Sequence, residues 1–156
     1  MSIRADERGV HVSCPACGQA NRLPFASLHR AATCGKCHGA LAAPEAPIDI
    51  PSTEAFDALV SASPLLVVVD FWAPWCGPCR MVAPELEKVA AAHRGRWIVA
   101  KVNTDALPDL AARFGIQSIP TMAVFSAGKE VARTAGARPA AGIEQFVERV
   151  AVSSIG

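Results

Sequence analysis

Six cysteines fall into three pairs of identical spacing: Cys14-Pro15-Ala16-Cys17, Cys34-Gly35-Lys36-Cys37 and Cys76-Gly77-Pro78-Cys79. Two intervening residues hold both sulfurs on one side of a tight turn, which suits either two ligands of one metal ion or a reversible disulfide. What surrounds each pair separates the two uses. Cys76 follows the strand-type run Leu65-Leu66-Val67-Val68-Val69-Asp70, and after it Met81, Val82, Leu86, Val89 and Ala90 recur at helical spacing. The first cysteine of this pair is therefore predicted at a helix N-terminus, where free backbone N–H groups and the helix dipole favour a nucleophilic thiolate. Cys79, one turn further in, is expected to face it and to lie deeper. Asp70 ends the strand either as a solvent-facing carboxylate or, beside Phe71-Trp72, as a desolvated one. In the second case its pKa would rise and suit proton exchange with Cys79.

The other four cysteines have sixteen residues between their pairs. Two such knuckles can bring four thiolates into a closed tetrahedron, the pattern of a structural zinc site with Cys14, Cys17, Cys34 and Cys37 as ligands. The segment needs the metal, because Val10, Val12, Leu23, Phe25, Leu28 and Leu41 are too small an apolar inventory to order about 40 residues without a staple. Cys34-Gly35-Lys36-Cys37-His38 also fits the attachment pattern of c-type haem, but that use requires export and leaves Cys14 and Cys17 unexplained. His11, His29, His38 and His93 share no helical spacing and are read as surface residues, with His38 a reserve ligand.

Trp75-Cys76-Gly77-Pro78-Cys79 between an apolar strand and a helix resembles the active site of the thioredoxin family. The likeness extends over about residues 46 to 156. It implies a buried carboxylate at Asp70, an approaching lysine at Lys101, a helix-kinking proline at Pro84, and turn glycines at Gly128 and Gly136. It also implies that Pro120, within Ile119-Pro120-Thr121, is cis and faces the reactive sulfur. On this resemblance Cys76, Cys79, Asp70, Lys101 and Pro120 serve catalysis, while Trp75, Gly77, Pro78, Ile119 and Gly136 receive disulfide-containing protein substrates. The Gly77-Pro78 pair is similar to that of reducing members. The family's electron donor is an NADPH-dependent thioredoxin reductase; this chain has no Gly-x-Gly-x-x-Gly of its own to bind a dinucleotide. A four-cysteine module ahead of such a domain resembles the zinc-containing thioredoxins of bacteria.

The elements that must position these groups follow from the rest of the pattern. The 156 residues, 51% hydrophobic, suffice for one domain with a core and a small appendage. Pro44, Pro47 and Pro51 mark a boundary near residue 45, giving a zinc-ribbon domain over 1–45 and a thioredoxin domain over 46–156. The linker from Ala42 to Pro51 is long enough to let the ribbon reach the Trp75 rim or swing clear of it. Strands are expected at 48–50, 65–70, 97–102, 122–125 and 130–134, with helices after Ser52 or Thr53, after Cys76, over 107–114 and over 139–152. This is an α/β chain with a mixed sheet covered by helices on both faces.

A net charge of +1 offers no field for nucleic acid or a membrane surface, and the longest aliphatic run is far short of the roughly 20 residues of a span. The charged start, Met1 to Arg8, has no apolar stretch after it, so a cytoplasmic location is expected, and there six cysteines read as metal ligands and redox thiols. The expected function is a protein disulfide reductase. A rival of another class is a redox-switched holdase whose ribbon loses zinc on oxidation and uncovers an apolar surface.

Overall fold

The computed structural model describes residues 2–155, with side chains through residue 151. The chain opens with β1 (Ile3–Ala5), β2 (Gly9–Ser13) and β3 (Ala20–Pro24), a 3-10 turn at Phe25–Ser27, and the short pair β4 (Ala32–Thr33) and β5 (Ala40–Leu41). After β6 (Ile48–Asp49) come α1 (Thr53–Ala62), β7 (Leu66–Trp72), α2 (Gly77–Ala92), β8 (Trp97–Asn103) and α3 (Pro108–Arg113). The hairpin β9 (Thr121–Ser126) and β10 (Lys129–Ala135) leads to α4 (Ala140–Ile155). The expected elements are all present, with ends shifted by a few residues.

Local chemistry explains the boundaries. Ser52 caps α1 by accepting the Ala55 N–H at 3.1 Å. Ala127 and Gly128, with φ of 52° and 83°, form the tight turn of the β9–β10 hairpin, where positive φ at both central positions matches the twist of the strands. Continuous apolar runs in β7 and β8 fit strands buried on both faces. On one face Val68, Val99, Met122 and Val124 meet Val82, Leu86 and Val89 of α2 and Ile143 and Val147 of α4. On the other, Val67, Val69 and Phe71 meet Phe56 and Leu59 of α1 and Leu110 of α3.

One sheet of eight strands, ordered β10-β9-β7-β8-β6-β1-β2-β3, crosses the expected boundary. β1 lies parallel to β6, with Ile3 opposite Ile48 and Arg4 opposite Asp49. The Ile3 N–H also donates to the Pro47 carbonyl at 2.8 Å. Leu23, Phe25, Leu28 and Leu41 belong to the same buried cluster as Phe56 and Leu59, and Pro44 and Pro47 are themselves buried. The connecting segment is therefore packed, and strand pairing joins the ribbon to the larger sheet. Three prolines without a helical period read as a loose linker because β1 spans only three residues, too few to show a period, and the strand β6 it joins is 43 residues away.

Leu28 of the ribbon is fully buried in the cluster it shares with Phe56 and Leu59. Leu28→Ala should lower stability by about 2–5 kcal/mol. It should do so within the single transition that tryptophan fluorescence reports in denaturant; two separate units would leave that transition in place.

Candidate active site and metal centre

β7 ends at Trp72, and the chain crosses the C-terminal edge of the sheet to enter α2. Cys76 is the N-cap of that helix: its backbone is extended and its Sγ accepts the Cys79 N–H at 3.2 Å. Pro78 stands in the first turn, where its missing N–H leaves nothing unsatisfied. A disulfide joins Cys76 and Cys79, their Cα atoms 5.3 Å apart. Depth does not distinguish them, since each is only 4% exposed, contrary to the expected deeper Cys79. Their neighbours do. Cys76 Sγ lies 3.9 Å from the carbonyl oxygen of Ile119, and the Ile119–Pro120 peptide is cis. Cys79 lies one turn before Val82, which shares a cluster with Val68. Because α2 runs back along β7, that register sets the first turn of the helix over Asp70, two residues beyond Val68 on the same face.

Asp70 is 1% exposed, and neither carboxylate oxygen has a hydrogen-bond partner among the described residues. Burial pushes its carboxyl up to about 7, against the pull of the Lys101 ammonium. Lys101 stands directly opposite Asp70 in the β7–β8 register, and its Nζ rests 4.7 Å from the centroid of the Trp72 ring. The expected approach of lysine to carboxylate is thus built into strand pairing.

Trp75 is 67% exposed, and its indole N–H donates to Asp105 at 3.3 Å. With Thr104, Ile116, Gln117, Ser118 and Ile119 it lines a groove beside the disulfide. Gly77 and Pro78 are exposed at the helix start. Gly136, at φ 97°, donates its N–H to the Pro120 carbonyl at 2.9 Å and so ties the end of β10 to the Pro120 loop. Pro84 lies inside α2 on its exposed side. Two readings from sequence change. Met81, counted in the apolar stripe of α2, is 71% exposed. His93, read as a surface residue, is buried, stacked on Trp97 at 3.7 Å between ring centroids and paired with Glu144 at 2.6 Å. Asp105 was missed, since an acidic residue in a turn carries no signal of the indole it meets.

The four remaining cysteines converge. Cys14 and Cys17 close the β2–β3 hairpin, Cys34 and Cys37 close β4–β5, and all four Sγ atoms lie within 4.8 Å of one another. Cys14 and Cys37 are 3.6 Å apart and Cys17 and Cys34 3.8 Å, close to the roughly 3.8 Å edge of a tetrahedron with 2.3 Å metal–sulfur bonds. Donors surround the sulfurs: Lys36 N–H and the Asn21 amide on Cys34 at 3.4 and 3.5 Å, and Gly39 N–H on Cys37 at 3.4 Å. Backbone N–H groups of Cys37 and Lys36 hold the Cys34 thiol down to about 6. Cys17 is pushed up to about 11: a Gln19 N–H is outweighed by burial and the neighbouring sulfurs. Four sulfurs so close cannot all be charged without a cation, and the donor set fits a metal ion that prefers thiolates.

Two sulfurs that pass between dithiol and disulfide at a helix N-terminus are the working part of a thiol–disulfide oxidoreductase, and this fold and site define that class of enzyme. A family model described as thioredoxin matches residues 48–149, and one described as the N-terminal part of thioredoxin 2 matches residues 13–39. The chain belongs to the thioredoxin family, with the thioredoxin fold and an N-terminal zinc ribbon. It is 39% identical to thioredoxin C-3 of Corynebacterium nephridii over 139 residues, covering 88% of this chain and 93% of that one. It is 47% identical to thioredoxin 1 of Nostoc over 94 residues, 60% of this chain and 88% of the relative. Against thioredoxin 1 of Chlorobaculum tepidum the identity is 51% over 86 residues, 55% and 85% of the two chains.

The Asp70 carboxyl, raised from 3.8 to about 7 in the fold, makes stability depend on pH. The native state keeps its proton where the unfolded state has lost it, so stability is full below about pH 4 and falls until about pH 7. Asp70→Asn should remove that fall. The variant should gain up to about 4 kcal/mol over the parent above pH 7 and nothing below pH 4, measured by denaturant unfolding of the oxidised protein.

Proposed function

We propose that this chain reduces disulfides in protein substrates, receives its electrons from an NADPH-dependent thioredoxin reductase, and works in the cytoplasm. The observation that carries the reading is the asymmetry around the disulfide: Cys76 caps α2 beside the Ile119 carbonyl, whereas Cys79 sits on the helix turn above the unpartnered Asp70. In the reduced enzyme the Cys76 thiolate, favoured by the N–H groups at the helix start, attacks one sulfur of the substrate disulfide. A mixed disulfide forms and the other substrate sulfur leaves as a thiolate. Cys79 passes its proton to the Asp70 carboxylate and attacks Cys76 Sγ. This releases the second substrate thiolate and regenerates the Cys76–Cys79 disulfide, so that two electrons have moved to the substrate. A carboxyl titrating near 7 accepts that proton at neutral pH without holding it. Trp75, Ile119 and the exposed Gly77-Pro78 edge give an extended substrate segment an apolar seat beside the sulfur.

The metal in the ribbon is zinc, and its role is structural: four thiolates close the coordination shell and leave no position for substrate. Those thiolates need a reducing compartment, which suits the cytoplasm. Loss of the ion would uncover Phe25 and Leu28 together with the Phe56 surface they cover. A holdase switch would therefore act at the cost of the domain's own core.

Cys76→Ser should abolish reduction of insulin disulfides. Cys79→Ser should retain the first attack and accumulate mixed disulfides, seen as a mass increase under non-reducing conditions. Trapping by Cys76→Ser alone would reverse the two roles. Elemental analysis of the purified protein should find about one zinc per chain, lost in the double variant Cys14→Ser, Cys37→Ser; an unchanged content would remove the ligand set.

A further inference from the structure

Strand registers align a single row of polar residues across one face of the sheet. Asp70 in β7 stands opposite Lys101 in β8, Lys101 opposite Asp49 in β6, Asp49 opposite Arg4 in β1, and Arg4 opposite His11 in β2. Residues paired in this way project from the same face. Their flanking neighbours, Val69, Ala100, Ile48 and Ala5, all point into the core on the other side. The signs along the row alternate from Asp70 to Arg4. Burial falls in the same order, from Asp70, buried beneath α2, through the half-buried Lys101 and Asp49 to the exposed Arg4. Lys101 is therefore the near cation of two carboxylates, one on each side.

We propose that Asp49 is a positioning residue for proton transfer at Asp70: it divides the Lys101 ammonium between two carboxylates, and Arg4 of the ribbon sets how large a share Asp49 takes. The inference rests on the reading of Asp70 as the proton acceptor for Cys79. Asp49 is itself raised by burial, with Lys101 and then Arg4 opposing, so the ammonium that lowers Asp70 also holds Asp49 charged. The groups facing Asp70 are few. β8 brings Lys101, α2 brings Cys79, and β9 opposite brings only Met122 at the paired position. Without Asp49 the lysine serves Asp70 alone, and a negative charge two strands away is gone as well. Both effects favour ionised Asp70. Without Arg4 the lysine is drawn toward Asp49 and Asp70 holds its proton more tightly.

The test is the titration of Asp70 in the reduced full-length protein, followed by carbon-13 NMR of the carboxyl, beside stopped-flow rates of the resolving step against pH. Asp49→Asn should move the Asp70 midpoint down by about one pH unit, direct repulsion across about two strand spacings supplying the smaller part and the freed Lys101 the larger. Arg4→Gln should move it up by a smaller amount. In a Lys101→Met background the Asp49→Asn shift should shrink by more than half, because direct repulsion alone survives there. A midpoint that stays still or rises in Asp49→Asn overturns the proposal, as does a shift that keeps its full size without Lys101. If these midpoints move as stated while the resolving rate ignores pH and is unchanged in Asp70→Asn, the sharing of Lys101 stands and the acceptor role of Asp70 falls.

Discussion

The parallel contact between β1 and β6 is only two residue pairs long, yet the placing of everything else on the ribbon side depends on it. By laying Ile3 against Ile48 it turns the outer strand of a five-stranded sheet into an interior one and continues the hydrogen-bond ladder into the ribbon hairpin. Backbone pairing is directional, so this contact also fixes the sense in which β2 and β3 run. A side-chain interface alone would have permitted several docking angles. The shared core of Leu23, Phe25 and Leu28 with Phe56 then fills the angle that the backbone has chosen.

That direction separates the two cysteine centres. β1 runs the same way as β7, toward the disulfide, and β2 runs back, so the Cys14 knuckle closes at the opposite end of the sheet. Four strand spacings also part β2 from β7, about 19 Å across. The metal thiolates cannot exchange with the Cys76–Cys79 pair, which matters in a molecule whose chemistry is thiol exchange. What does reach from ribbon to active site is charge. The row from Arg4 to Asp70 lies in a region that grows drier toward α2, where a charge acts over longer distances than at the surface.

The cysteine chemistry was legible because its signals are local. Four residues fix a knuckle, and the change from strand run to helical spacing fixes the place of Cys76 at the N-cap. Asp70 could be suspected of burial from its five apolar predecessors, but only the missing hydrogen-bond partners show how strongly it is desolvated. The unread features are all long-range. β1 is too short to have a pattern, and Lys101 and Asp49 meet only through register. Met81 is apolar in sequence and yet faces solvent, because it lies about 100° round the helix from Val82 and off the stripe that Cys79, Val82, Leu86 and Val89 bury. His93 is buried by Trp97 four residues on and by Glu144 on another helix, a pairing that histidine spacing cannot reveal.

Extending the sheet also changes which strand lies outermost. β6 carries Ile48, followed by Ile50, both buried, and as a border it would offer an apolar, hydrogen-bonding rim to any other chain. The border is now β3, Ala20-Asn21-Arg22-Leu23-Pro24, with a charge held by Asp6 at its middle and a proline without N–H at its end. The far border, β10, has a register break between Glu130 and Ala132 and an Arg133–Glu130 pair. An eight-stranded sheet is thereby left with two margins that both discourage strand addition.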